Sequence, residues 1–201
     1  MNIFEACLKL SYFPKKWKLA QFLTLPKPNK EDYTDPSAYR PISLLPVLGK
    51  SLENIILRRM QHFASQHNWF NSNKHGFSNG LSTVTAIDSL TRKFKHGFNC
   101  KAYTVCRLLD IKGAFDNAWH DVIIRNLASK NCPAYLLHLV RNFLLHRSTT
   151  LKLNETTLTT EVENGCPQGS LLFPFLWNIV MDEALNLRLP SGVKSRPTQM
   201  T

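Results

Sequence analysis

The sequence predicts an α+β protein, because segments with helical and strand periodicity occur together without the regular alternation of a doubly wound sheet. Apolar residues recur at helical spacing through residues 50–63. Residues 149–153 and 158–163 alternate between apolar and polar side chains, as the two strands of a hairpin turning at Asn154-Glu155 would. No internal repeat or low-complexity segment interrupts this mixture.

In chain order, the first predicted strand covers residues 22–25, which are followed by two prolines that end it. The helix of residues 50–63 comes next, and Ser82 or Thr83 then caps a second helix. We expect one side of that second helix to be apolar, formed by Val84, Ile87, Leu90 and Phe94.

The second half of the chain predicts one strand and three further helices outside the hairpin. The apolar run at residues 103–109 predicts a buried strand, and a helix follows at residues 117–129. Pro133 suits the first turn of the next helix, and the last helix begins near Pro174.

The predicted buried strand of residues 103–109 ends at a carboxylate, Asp110. Burying an unpaired carboxylate is costly, so this acid is solvated, paired or bound to a cation. An aspartate that caps a strand at a loop would explain Asp110 by itself, so its function has to be argued from other parts of the chain.

The composition favours a polyanionic partner. The 201 residues include 25 basic and 14 acidic side chains, which give a net charge of +11 and a pI of about 9.6. Five cysteines without metal-binding spacing predict reduced thiols in an intracellular protein rather than a disulfide framework. The longest apolar stretch, residues 171–181, is too short to span a bilayer, and no secretory leader follows Met1.

Gly49-Lys50-Ser51 has the end of a phosphate-binding P-loop but lacks the rest of the motif. That motif needs a glycine five residues before Gly49, where Leu44 stands. We therefore interpret the triplet as the start of a helix.

Other residues along the chain have the chemistry to bind a nucleotide. Lys27, Lys30 and Arg40 lie in or beside a polar loop, from which long cationic side chains can reach a triphosphate. Asp110 offers oxygen ligands to Mg²⁺, the ion that stabilises attacking and leaving oxygens in two-metal nucleotidyl transfer.

Three more residues extend this nucleotide-binding hypothesis. Phe115 follows Asp110 closely enough to form a wall of the same pocket. Gln168 supplies an amide that can hydrogen-bond a base or sugar, and Gly169 lets the backbone approach a ligand. Each of these signals is weak by itself, and their order along the chain carries the argument.

That order resembles the reverse transcriptases of non-LTR retrotransposons, jockey-like elements above all. Residues 39–46 read YRPISLLP, and Gly49, Lys50 and Glu53 follow them as in the fingers motif of this family. His75-Gly76-Phe77 resembles the next motif. LLDIKGAFDNAWHD at residues 108–121 resembles the first palm motif, and GCPQGSLLFPFLWNIVMDEAL at residues 165–185 resembles the second.

The resemblance implies a right-hand polymerase with a fingers-like region at residues 1–100, a partial palm at residues 101–194 and an aberrant tail at residues 195–201. Its partners would be an RNA template, a DNA primer and deoxynucleoside triphosphates, its cofactor Mg²⁺, and no membrane is implied. A group II intron maturase or a retron enzyme is the alternative within the same class of polymerases.

The resemblance also assigns roles to individual residues. Asp110 becomes the first catalytic, metal-binding carboxylate, and Phe115 the gate that excludes a ribose 2′-hydroxyl. The remaining assignments are triphosphate contacts for Lys27 and Arg40 with Lys30 beside them, nucleotide and template contacts for Gln168 and Gly169, and a structural hydrogen-bonding role for Asp116.

Two features depart from the family pattern. Ser78 stands where the family has an arginine, and no acidic residue follows Glu183, where the Asp-Asp hairpin and then the thumb would come. We expect this chain to be an inactive polymerase fragment, with a non-catalytic nucleic-acid-binding remnant as the alternative reading. Our hypothesis for the tail is a frameshift near Lys194; codons that do not encode Ala-Tyr-Ala-Asp-Asp in the neighbouring frame would contradict it.

Overall fold

A four-stranded sheet and six helices make up the computed structural model, which describes residues 2–186 except 72, 73, 79, 107, 112, 115 and 154. The strands are β1 (Leu19–Pro26), β2 (Tyr39–Leu44), β3 (Arg147–Leu153) and β4 (Thr156–Val162). The helices are α1 (Ile3–Lys9), α2 (Val47–Gln66), α3 (Thr83–Asn99), α4 (His120–Ser129), α5 (Ala134–Leu144) and α6 (Phe173–Leu185). Lys15–Trp17 and Pro36–Ala38 form short 3₁₀ turns.

The sheet has the order β2-β1-β3-β4, so it joins two hairpins from distant parts of the chain. β1 and β2 are antiparallel, as are β3 and β4, whereas β1 and β3 pair in parallel, with Ala20 opposite Thr149. β2 and β4 form opposite edges of the sheet, and the chain that follows β4 returns to β2, where the Ser43 N–H donates to the Gln168 carbonyl.

The hydrophobic core lies among the helices. The stripe of α2 predicted from the sequence is buried, with Leu52, Ile56 and Met60 fully inaccessible to solvent. α4 contacts both α5 and α6, and the same apolar cluster includes side chains from all four of these helices. Its fully buried members outside α2 are Phe13, Ile123, Leu127, Leu136, Leu139, Val140, Phe143, Leu172, Leu176 and Ile179.

The α+β class is confirmed, and most predicted elements are present. The hairpin of β3 and β4, the strand at residues 22–25 and the helix near Pro174 all occur where the sequence predicts them. Ser82 caps α3 as predicted: its side chain accepts from the backbone N–H of Thr85, whose hydroxyl bonds back to the Ser82 N–H. The apolar side of α3 is partly exposed, since Val84 is 72% exposed.

The prediction of a buried strand at residues 103–109 is wrong. The described residues of this segment have no regular secondary structure, and Leu108 and Leu109 are 82% and 83% exposed. A strand requires a hydrogen-bonded neighbour, and among the described residues no other strand pairs with this segment. Apolar composition by itself therefore does not predict burial in the segment of residues 103–109.

The boundary proposed at residue 100 between a fingers-like region and a palm stays a prediction. The predicted tail at residues 195–201 lies outside the described residues. Within the described part of the chain, no helix combines the length and apolar character needed to cross a bilayer.

Candidate functional site

The Gln168 loop, residues 165–172, connects β4 to α6 and lies against the edge of the β1–β2 hairpin. The backbone N–H of Ser43 in β2 donates to the Gln168 carbonyl at 2.9 Å. Gly169 has a φ of +121°, and a Cβ atom there would lie 2.8 Å from the Ser43 carbonyl oxygen. Only glycine fits so close an approach at that backbone angle, which explains the glycine after Gln168.

Glu53 of α2 holds the other end of the Gln168 loop. One carboxylate oxygen, Oε2, accepts from the Ser170 hydroxyl at 2.6 Å, the Leu171 N–H at 2.8 Å and the Leu172 N–H at 3.3 Å. The Ser170 hydroxyl oxygen in turn accepts from the Phe173 N–H at 3.2 Å. These donors precede or begin α6, where backbone N–H groups have no partner within the helix.

The start of the Gln168 loop is held from the side of α4. The Gly165 N–H donates to the Ala118 carbonyl at 2.8 Å, and the ring nitrogen Nε2 of His120 lies 2.7 Å from the Gly165 carbonyl. Since a carbonyl only accepts, Nε2 of His120 carries the proton in this contact. Three separate elements, β2, α2 and α4, therefore fix the backbone on both sides of Gln168.

A cavity of about 180 Å³ lies between the Gln168 loop and the sheet. Gln168 and Asp116 both line it, so two residues singled out from the sequence meet there. Residues of all four strands and of the chain that follows β4 form the rest of its wall: Ala20, Phe22, Pro41, Ser43, Arg147, Ser148, Thr149, Val162, Asn164, Cys166 and Pro167.

Arg147 is a buried cation in the wall of this cavity, with a relative exposure of 2%. Its Nη1 donates to the Phe143 carbonyl at 3.2 Å, and the guanidinium lies over the Phe143 ring. Burial lowers the pKa of Arg147, and the negative charge of Glu53 opposes that shift. Burial also raises the pKa of the Cys166 thiol, so Cys166 stays neutral at physiological pH.

The predicted metal ligand, Asp110, is exposed and lies in an irregular segment outside the lining of the cavity. The described residues contain no group of three or more potential ligands able to hold a metal ion. Phe115, the predicted gate residue, lies outside the described residues.

The three predicted phosphate-binding cations lie at the far end of the β1–β2 hairpin from the Gln168 loop. Lys27 directs its Nζ to the Ser37 carbonyl at 2.8 Å, and Lys30 is exposed nearby. Arg40 is exposed opposite Leu25, and strand alternation places it on the face of β2 away from Pro41 and Ser43. Lys27, Lys30 and Arg40 do not line the cavity.

Glu53 and Arg147 are two charged site residues to which sequence reasoning assigned no role. Glu53 had a usable signal, because it is a charged residue within the apolar stripe of α2, beside Leu52 and three residues before Ile56. Arg147 had none, since a basic residue at the start of a short alternating strand is ordinary on a protein surface.

Comparison with known proteins identifies the family of this chain. The family described as "Reverse transcriptase (RNA-dependent DNA polymerase)" matches residues 25–191. The "Probable RNA-directed DNA polymerase from transposon BS" of Drosophila melanogaster is 33% identical over 178 residues, which cover 88% of this chain and 19% of that protein.

Two further Drosophila melanogaster proteins show similar likeness. The "RNA-directed DNA polymerase from mobile element jockey" is 32% identical over 88% of this chain and 19% of its own length. The "Putative 115 kDa protein in type-1 retrotransposable element R1DM" is 33% identical over 94% of this chain and 18% of its own length. The chain thus spans about a fifth of the length of these relatives. With the family match extending over most of its residues, the chain belongs to the reverse transcriptase family, as its resemblance to jockey-like retrotransposon enzymes predicted.

Proposed function

We propose that this chain forms the nucleotide-facing part of an RNA-directed DNA polymerase that copies an RNA template onto a DNA primer. The observation that carries this proposal is the Gln168 loop, which three elements hold beside the β1–β2 hairpin. A glutamine amide on such a fixed backbone can present its donor and acceptor to a nucleotide in one orientation.

In this proposal, Gln168 and Gly169 contact the incoming nucleotide and the template, and Phe115 discriminates against ribose. Arg40 and Lys27 approach the triphosphate, with Lys30 a secondary contact, because guanidinium and ammonium groups pair well with phosphate oxygens. Asp116 supports the cavity wall through its hydrogen-bonding capacity and does not bind metal.

Asp110 is the proposed metal-binding carboxylate of the domain. Enzymes of this class generally use divalent metal ions, and a single exposed aspartate does not hold two of them. Residues 184–201 contain no acidic side chain that would complete the set. We therefore expect these 201 residues alone to bind nucleotide and nucleic acid without extending a primer.

Binding and extension assays test the two parts of this proposal separately. Gln168→Ala is expected to weaken binding of a fluorescent deoxynucleoside triphosphate by about tenfold, equal to about 1.4 kcal/mol. Gln61→Ala, an exposed glutamine of α2, is the matched control and should bind as the unaltered chain does. Equal affinities for all three proteins would contradict the role of Gln168. Primer extension on poly(rA) with Mg²⁺ should give no product, and measurable incorporation would overturn the expected inactivity.

The second candidate function is nucleic-acid binding without any catalytic role, which the net charge of +11 favours. Titration of RNA at increasing salt concentration measures this binding. In a plot of log affinity against log salt concentration, each phosphate neutralised in single-stranded RNA contributes about −0.7 to the slope. A slope near zero would show that the basic side chains do not neutralise the phosphates of the RNA.

A further inference from the structure

The carboxylate of Glu53 is buried at the junction of α2 and the Gln168 loop and is 1% exposed. Among the described residues it takes part in no salt bridge. Its hydrogen bonds all run to the loop and the start of α6, more than a hundred residues along the chain. We infer that Glu53 is a positioning residue for nucleotide binding, which acts by holding the backbone of the Gln168 loop. This inference rests on the proposed role of Gln168.

The first step of the argument is the cost of burying Glu53. An ionised carboxylate is destabilising inside a protein unless donors compensate it. Here two backbone N–H groups and one hydroxyl converge on Oε2, and the positive end of the α6 dipole adds to them. A leucine at position 53 would satisfy the apolar stripe of α2 but would leave those donors without a partner.

The second step is the mobility of the loop without Glu53. Gly169 separates Gln168 from Ser170, and glycine rotates more freely than any other residue. The bond from the Ser43 N–H to the Gln168 carbonyl fixes one side of that hinge, and Glu53 fixes the other. Removing Glu53 therefore leaves the Gln168 peptide tethered on one side only, so its amide samples more orientations and nucleotide binding weakens.

The third step concerns the second buried charge. Arg147 lies on the sheet side of the cavity, and the negative charge of Glu53 opposes the effect of burial on its guanidinium. Glu53 thus partly offsets the charge of a buried cation while it holds the loop. An apolar side chain at position 53 would remove both effects at once.

The experiment measures binding of mant-dATP with Mg²⁺ to the 201-residue chain and its variants. Glu53→Ala is expected to weaken binding about tenfold, equal to about 1.4 kcal/mol. Glu53→Gln should restore most of the affinity, because its carbonyl oxygen can accept the same bonds. Should Glu53→Ala fail to fold, Ser170→Ala removes one of the three donors and is expected to weaken binding about threefold. Glu161→Gln removes one exposed negative charge from β4 and serves as the control with unchanged affinity.

A double-mutant cycle separates positioning from general destabilisation. If Glu53 acts through Gln168, its replacement costs about tenfold in the unaltered chain but less than about twofold in a Gln168→Ala background. Equal losses in both backgrounds would overturn the inference while leaving the role of Gln168 intact. No loss from Gln168→Ala alone would overturn the proposed function, and the inference with it.

Hydrogen exchange supplies a readout independent of nucleotide. The Leu171 and Leu172 amides should exchange faster in Glu53→Ala, whereas amides in the middle of α2 should keep their protection. Unchanged protection at residues 171 and 172 in a folded Glu53→Ala protein would show that Glu53 does not hold the loop.

Discussion

The Gln168 loop and the segment of residues 102–111 carry the two strongest motifs of this chain, yet they are built in opposite ways. The Gln168 loop accepts hydrogen bonds from β2 and α4 and donates hydrogen bonds to Glu53 of α2. The described residues of the segment that ends near Asp110 have exposed apolar side chains and no regular secondary structure. A sequence motif therefore identifies residues that could bind a ligand, but the elements packed around the motif determine whether those residues have a fixed position.

The difference follows from where each motif finds its partners. The partners of the Gln168 loop are the α2 carboxylate, the β2 backbone and the α4 histidine, all within the described residues. The side chains of residues 103–106 and 108–109 are instead exposed to solvent. Substitutions in each region test whether the two differ in how tightly the surrounding elements hold them.

The largest effect is expected for Gly169→Ala. The new Cβ would meet the Ser43 carbonyl oxygen at 2.8 Å in a backbone conformation unfavourable to side chains, so we expect a loss of about 3 kcal/mol or more. Gly80→Ala is the matched control, because its φ is +74° but nothing lies within 4 Å of the new atom. It should lose only about 1 kcal/mol. Urea denaturation compares the two, and similar losses would show that the loop is not tightly packed against β2.

An intermediate, pH-dependent effect is expected for Lys18, which precedes β1. Its Nζ donates to the Leu145 carbonyl at 3.1 Å. Burial, followed by the positive charges of Arg147 and Lys15, lowers the pKa of Lys18 from 10.5 to about 8. Because the unfolded chain keeps this proton up to higher pH, the free energy of unfolding rises as the pH increases from about 8 towards 10.5.

Lys18→Met removes that dependence. Between pH 7 and pH 9, the unaltered protein should gain about 1 kcal/mol of stability relative to Lys18→Met, since one pKa unit corresponds to 1.36 kcal/mol. Urea denaturation at the two pH values measures the difference, in which contributions of other groups such as the cysteines cancel. Parallel stability profiles for the two proteins would show that burial does not lower the pKa of Lys18.

The smallest effect is expected in the segment of residues 102–111. Tyr103→Ser and Leu109→Ser should each change the free energy of unfolding by less than about 0.5 kcal/mol, because both side chains are exposed. Leu139→Ala, in the fully buried part of α5, should cost about 2–5 kcal/mol by comparison. A loss above about 1 kcal/mol for Leu109→Ser would mean that this segment packs against the fold.

The sequence predicts the elements of this fold well where local signals and burial agree. The stripe of α2, the Ser82 cap of α3 and the hairpin of β3 and β4 each combine periodicity with suitable end residues. Residues 103–109 show the limit of such reasoning, since an apolar run specifies no partner strand.

The candidate site is only partly predictable for a related reason. Gln168 and Gly169 stand out as a local motif, and Asp116 joins Gln168 at the cavity. The hydrogen bonds that the loop donates to Glu53 join residues that are 117–119 positions apart in the sequence. No local sequence pattern predicts such contacts. The parallel register of β1 with β3 is hidden in the same way, because alternation within a strand does not identify its neighbour.

That parallel register has a consequence for how the molecule forms. Residues 19–22 in β1 pair with residues 148–151 in β3, so about three quarters of these 201 residues must be synthesised before the sheet can close. Such distant pairings slow folding and leave the first hairpin with an unfilled edge on the nascent chain. Ribosome-bound intermediates shorter than residue 151 should therefore depend on chaperones more than longer ones do.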